Sequence, residues 1–136
     1  MRSIAPGFRA YVDDHASSDG MPVHLGHAPE TVGARFILIQ RLSTENYTTL
    51  DNPGDDSLRA ETFRLTAYSK KGDEDCHTVA DAIAEALDDY EGAMGTARRC
   101  EAVFIEDESG DYDPPVFMDG YSLADITLTI QHSPAA

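Results

Sequence analysis

The stretch Glu61-Thr-Phe-Arg-Leu-Thr-Ala-Tyr68, Ser69-Lys-Lys-Gly-Asp73, Glu74 to Glu91 decides the fold. In its first part Phe63, Leu65 and Ala67 alternate with Thr62, Arg64 and Thr66, the period-two pattern of a strand with one buried face. From Glu74 to Tyr90 the residues Cys76, Val79, Ala80, Ile83, Ala86, Leu87 and Tyr90 recur at three- and four-residue steps, so they form one apolar stripe of a helix. A strand with one apolar face followed by a helix with one apolar stripe folds the second onto the first. The remaining segments must complete that two-layer unit.

Working outward, Arg35 to Ser43 reads as a strand. The run Phe36-Ile-Leu-Ile39 predicts cover on both faces or an inner place in the sheet. Thr44 to Arg59 is a long polar connection rich in turn formers, with extended arms that carry Tyr47 and Leu50 on one side and Leu58 on the other. The strand Glu61–Tyr68 is expected to return antiparallel to Arg35–Ser43. Asp73, Glu74 and Asp75 put negative charge at the helix N-terminus. Gly92 and Gly95 offer stops. Arg98 to Asp107 holds the next strand, with Ala102 and Phe104 expected to be buried and Val103 and Ile105 as further candidates. Asp107 to Pro115 is an acidic loop, and Val116–Asp119 is short and extended. In the last strand, Tyr121–His132, Ala124, Ile126, Leu128 and Ile130 face one way, and Asp125, Thr127, Thr129 and Gln131 the other. Nearer the start, Pro6–Ala16 is a short helix candidate with Phe8, Tyr11, Val12 and His15 on one side, and Met21–Leu25 reads extended.

The expected fold class is therefore α+β. It comprises an antiparallel sheet of about four to five strands, one main helix (about 74–91) packed on one face, and a short N-terminal helix. We expect one domain over 1–136, with 1–30 as lead-in and 31–136 as the sheet–helix core. No apolar run approaches the roughly 20 residues that span a bilayer. Met1–Tyr11 lacks the apolar stretch of a secretion signal, so a soluble, non-secreted chain is expected. Cys76 and Cys100 are then expected as reduced, buried thiols rather than a disulfide.

Charge is the dominant compositional feature: 25 acids against 10 bases give a formal charge of −15. Asp outnumbers Glu, and only Lys70 and Lys71 are lysines. A dense coat of short carboxylates repels itself in dilute buffer and is screened in molar salt, where the Debye length is only about 3 Å. A halophilic source follows as an expectation. The doublets Lys70-Lys71 and Arg98-Arg99 are too small for a phosphate-binding face.

The motifs that suggest chemistry fail on spacing. Asp51-Asn-Pro-Gly-Asp-Asp-Ser57 has proline at the third ligand position of a calcium loop, glycine two positions early, and Thr62 where the closing Glu belongs. Asp107, Asp111 and Asp113 could hold a cation only as a loop cluster. His24 and His27 have no third ligand nearby in sequence. Cys76 and His77 are adjacent on a helix and point some 100° apart, so they are no nucleophile–base pair. Gly92-Ala-Met-Gly95 lacks the Lys-Ser/Thr of a phosphate loop and follows a helix instead of preceding one. Neither a catalytic residue nor a cofactor is predicted.

The order of the segments resembles the tail-completion (tail-terminator) proteins of long-tailed viruses. The likeness lies in Met21-Pro-Val-His-Leu-Gly-His-Ala-Pro-Glu30, the strand Arg35-Phe-Ile-Leu-Ile-Gln-Arg-Leu-Ser43, the polar excursion, Ala60–Ser69, the helix core Val79-Ala-Asp-Ala-Ile-Ala-Glu-Ala-Leu87 and the closing strand 121–132. It covers roughly 21–132, in pattern more than in motif. The chain departs from the family in its acidity and its short, polar N-terminal helix. The resemblance implies a non-enzymatic virion protein, assembled in the host cytoplasm. It would close the tail tube as a ring of about six copies, between the tail tube protein and the neck or connector protein. DNA would pass through the ring without specific binding. Within that reading, Tyr47, Leu50, Tyr112, Val116, Phe117 and Met118 are interface candidates. Asp51, Asp55 and Asp56 are lumen candidates, because carboxylates repel phosphates. The alternatives are another neck component, such as a head-completion or stopper protein, and a small halophilic α+β enzyme or ligand-binding domain.

Overall fold

A computed structural model describes residues 3–14, 21–26, 33–47, 58–88, 90–95, 98–109 and 120–134. In chain order these form α1 (Ala5–Asp14), β1 (Val23–Leu25), β2 (Arg35–Tyr47), β3 (Leu58–Ser69), α2 (Asp73–Leu87), β4 (Gly92–Met94), β5 (Arg98–Ser109) and β6 (Ser122–Pro134). The strands make one sheet in the order β1-β2-β3-β6-β5-β4. Every neighbouring pair is antiparallel except β1–β2, which is parallel, with Val23 opposite Ile37 and Leu25 opposite Ile39.

This corrects the expected antiparallel sheet of four to five strands with one main helix packed on a face. The described sheet has six strands, is mixed, and curls into a half-barrel that holds residues of two helices. Two features account for the difference. First, β1 and β4 are three residues each, too short to show a period. Second, β-bulges interrupt β2 at Leu42 and β5 at Glu101 and Glu106. A bulge adds a residue to one strand, bends it and increases its twist.

One main core lies inside the curl. It joins Ile4, Phe8 and Val12 of the N-terminal segment to Cys76, Val79, Ile83 and Leu87 of α2 and to the inward residues of the sheet. Phe63, Leu65 and Ala67 of β3 and Ala124, Ile126, Leu128 and Ile130 of β6 all belong to it, as their alternation predicts. The apolar run of β2 splits between faces. Ile37 and Ile39 enter the main core, while Phe36 and Leu38 join Tyr68 and Leu123 in a second cluster on the other side. There Phe36 stacks on Tyr68 with ring centroids 4.8 Å apart.

In β5 the observed phase is the reverse of the leading expectation. Val103 is buried and Ile105 packs against the core, whereas Phe104 is 51 % exposed and Ala102 partly exposed. Cys100 points inward, and the extra residue Glu101 flips the parity from Ala102 to Ile105, up to the next bulge at Glu106. Helix α2 also stops earlier than expected, at Leu87. Asp88 turns extended, its amide bonded to Ala84 O at 2.9 Å, and Gly92 opens β4 instead of stopping the helix. At its other end α2 is fixed to the sheet by a bidentate pair: Arg35 Nε and Nη2 donate to the two Asp75 oxygens at 2.8 and 2.9 Å, and Ser69 Oγ donates to Asp75 at 2.5 Å. Asp75 is thus engaged with the strands, and its carboxyl is held below its ordinary value, chiefly by the Arg35 hydrogen bonds.

Candidate functional site

The candidate residues named from sequence fall largely outside the described residues. Leu50, Asp51, Asp55, Asp56, Tyr112, Val116, Phe117 and Met118 all do. Tyr47 is described through its backbone, which pairs with Leu58 where β2 and β3 meet the polar excursion. The strands therefore run further toward that excursion than the apolar pattern alone reaches. His24 lies beside Phe36, with ring centroids 6.0 Å apart. Cys76 is buried while His77 is exposed, as neighbours on a helix must be. Among the described residues no three His, Cys, Asp or Glu side chains converge as a metal site would require.

What the fold does assemble is a buried polar chain on the concave side of the sheet. Glu61 (β3), His132 (β6) and Arg98 (β5) are each 0–1 % exposed. Glu61 sits in phase with Phe63 and Leu65, and His132 in phase with Ile130, so backbone alternation drives all of them inward. Arg98 Nε donates to His132 Nδ1 at 2.9 Å, and Arg98 Nη2 donates to the His132 carbonyl at 3.3 Å. A ring nitrogen that accepts from a guanidinium carries no proton, so this geometry puts the imidazole proton on Nε2. Nε2 stands 2.8 Å from Glu61 Oε1, a short contact along which the ring N–H does not point. Glu61 also accepts from the Ile4 amide at 2.7 Å and from Ser3 Oγ at 2.8 Å.

The result is a cation and an anion joined through an imidazole. The anion end ties down the chain just before α1. Burial pushes the Glu61 carboxyl up, but the short contact with His132 and the hydrogen bonds from Ile4 and Ser3 together outweigh it and hold the group below its ordinary value. Arg41 Nη1 lies 3.7 Å from Glu61 Oε2 at the solvent side.

A second feature is an open groove of about 340 Å³ between α2 and β5, lined by Asp81, Ala84, Glu85, Asp88 and Ile105. Asp81 and Glu85 lie one turn apart on α2 and Asp88 follows its end, so the groove is acidic along one wall and repels anions. The third feature is the exposed stretch of β2. Arg41, Leu42, Ser43, Thr44 and Glu45 are all exposed although β2 is hydrogen-bonded to β3 throughout.

Sequence reasoning missed the buried chain. Glu61 reads as the start of a strand, Arg98 as half of a surface doublet and His132 as a strand end. A usable signal was present: Glu61 and His132 each extend the apolar phase of their strand with an ionisable residue. No family model matches this chain, and no characterised protein is significantly similar to it.

Proposed function

We propose that this chain is a non-enzymatic structural subunit of a virion. It closes the end of a tail tube as a homo-oligomeric ring and joins the tail to the neck. The observation that carries the reading is the order of elements. A short helix, an extended lead-in, two long strands flanking a polar excursion, a helix and closing strands follow the pattern that carries the resemblance. A body of this kind has surface to spare for neighbours, and the exposed reach of β2 supplies some of it. The acid-rich surface suits a passage for DNA that must not adhere to its wall.

Negative-stain images of particles lacking this protein test the reading. Full heads beside unjoined or over-long tails are expected. Intact virions would overturn it.

A further inference from the structure

We propose that the concave side of the sheet holds a site for a small monovalent anion, formed where Arg59 of β3 and His132 of β6 lie opposite each other. The inference is independent of the ring reading and concerns the buried polar chain itself.

Strand register builds the site. Arg59 pairs directly with His132, and Glu61, two positions further along β3, pairs with Ile130. Directly paired residues share a face of the sheet, and so do alternate residues of one strand. Arg59 therefore stands on the concave side with Glu61 and His132. It is 8 % exposed. A long cationic side chain ordinarily keeps its head in water, and this one is almost wholly withdrawn from it.

Two donors of this cluster are unmet. Arg59 Nε and His132 Nε2 are both buried, and among the described residues neither atom has a hydrogen-bond partner. The bond from Arg98 to Nδ1 is what leaves the imidazole proton on Nε2. Buried donors are nearly always satisfied, so two of them on directly opposed residues call for a shared acceptor.

Charge decides the kind of acceptor. On this face, among the described residues, the buried cations are Arg59 and Arg98 and the buried carboxylate is Glu61. Asp125 is also buried, but it pairs with Thr66 and belongs to the opposite face. An imidazole is neutral or positive, so His132 cannot redress the balance. Arg41, 3.7 Å from Glu61 at the solvent side, adds to the positive count. A water would satisfy the donors and leave the excess charge buried. One small anion satisfies the donors and balances the two buried arginines.

The site borders solvent along β2. Thr44 pairs with Glu61 and Arg41 with Phe63, so both lie on the concave side, and both are exposed. In dilute buffer the −15 charge of the chain repels anions. In molar salt that repulsion is screened, which is the condition in which the site fills.

Melting of wild type and Arg59→Met in molar potassium salt, with gluconate exchanged stepwise for chloride, tests this. Ionic strength stays constant, so screening does not change, and bulky gluconate serves as the non-binding reference. Wild type should gain about 5 °C along a saturable curve. Arg59→Met should show no saturable gain, and in gluconate alone it should melt at or above wild type, because methionine replaces a buried cation without its counter-ion. Near-UV circular dichroism checks folding, and Arg59→Lys, which keeps the charge but not the Nε donor, repeats the arm and should lose most of the gain. The chloride NMR linewidth on wild type needs no variant and should show excess broadening proportional to protein. Wild-type melting that ignores chloride marks a bound water and overturns the proposal, as does an Arg59→Met variant that keeps the full gain.

Discussion

Replacing Glu61 by glutamine removes the charge from the anion end of the Arg98–His132–Glu61 chain while preserving side-chain volume, so no cavity confuses the result. The carboxylate accepts from Ile4 N at 2.7 Å and Ser3 Oγ at 2.8 Å and faces His132 Nε2 at 2.8 Å. The glutamine oxygen can take the place of Oε1 beside Ile4 N and His132 Nε2, and its NH2 then meets Ser3 Oγ, a hydroxyl that can turn to accept, so what the substitution removes is the negative charge. Arg98, 1 % exposed, also loses its buried counter-charge. Breaking a buried pair from one side costs about 3–5 kcal/mol, a large part of the 5–15 kcal/mol typical of a domain. With a urea slope of roughly 1.5–2 kcal/mol/M the midpoint falls by about 2–3 M. The assay is urea unfolding followed by far-UV circular dichroism in high KCl, where the mutant slope should match wild type.

The pH dependence supplies a second reading of the same contact. The folded-state pKa of Glu61 is depressed. Its contribution is therefore fully present above the unfolded carboxylate value and is lost as pH falls through the lower folded value. Many surface carboxylates titrate in that window too, and their protonation relieves self-repulsion. The informative quantity is the wild-type minus mutant difference, which should be large at pH 7 and shrink below about pH 4. The double variant Glu61→Gln/Arg98→Met should cost clearly less than the sum of the singles. A Glu61→Gln midpoint within 0.5 M of wild type, or a difference that does not change with pH, would refute the coupled-chain account.

Three further outcomes are expected. Gly7→Ala should destabilise by about 1–3 kcal/mol, despite alanine's better helix propensity, because a Cβ at Gly7 would lie 2.1 Å from Met94 O and force α1 away from β4; a mutant melting as high as wild type would show that the two elements separate freely. Cys76 and Cys100 are buried thiols outside any disulfide, and burial pushes the Cys100 thiol up to about 11, so an aromatic disulfide reagent at pH 8 should label both only on unfolding; labelling within seconds in native buffer contradicts this. Melting temperature should climb with KCl as the −15 charge is screened, and a flat or falling curve removes the halophilic reading.

The local pattern of the chain was enough to place β2, β3, α2 and β6 and their faces. Phe63, Leu65 and Ala67 turn inward because a strand alternates, and Val79, Ile83 and Leu87 do so because a helix repeats every 3.6 residues. The apolar run at Phe36–Ile39 predicts its own cover on both sides for the same reason.

Tertiary structure alone decided the rest. Nothing in Val23–Leu25 says that it pairs parallel with β2, since direction is a relation between strands. Nothing local says that Gly92–Met94 is a strand, because three residues show no period. The inward turn of Val103 instead of Phe104 follows from one extra residue at Glu101, and that residue is extra only relative to its partner strand. Glu61, Arg98 and His132 come from three separate strands, and all three are distant in sequence. Only the register that sets Cys100 opposite His132 and Glu61 opposite Ile130 turns three scattered ionisable residues into one buried chain.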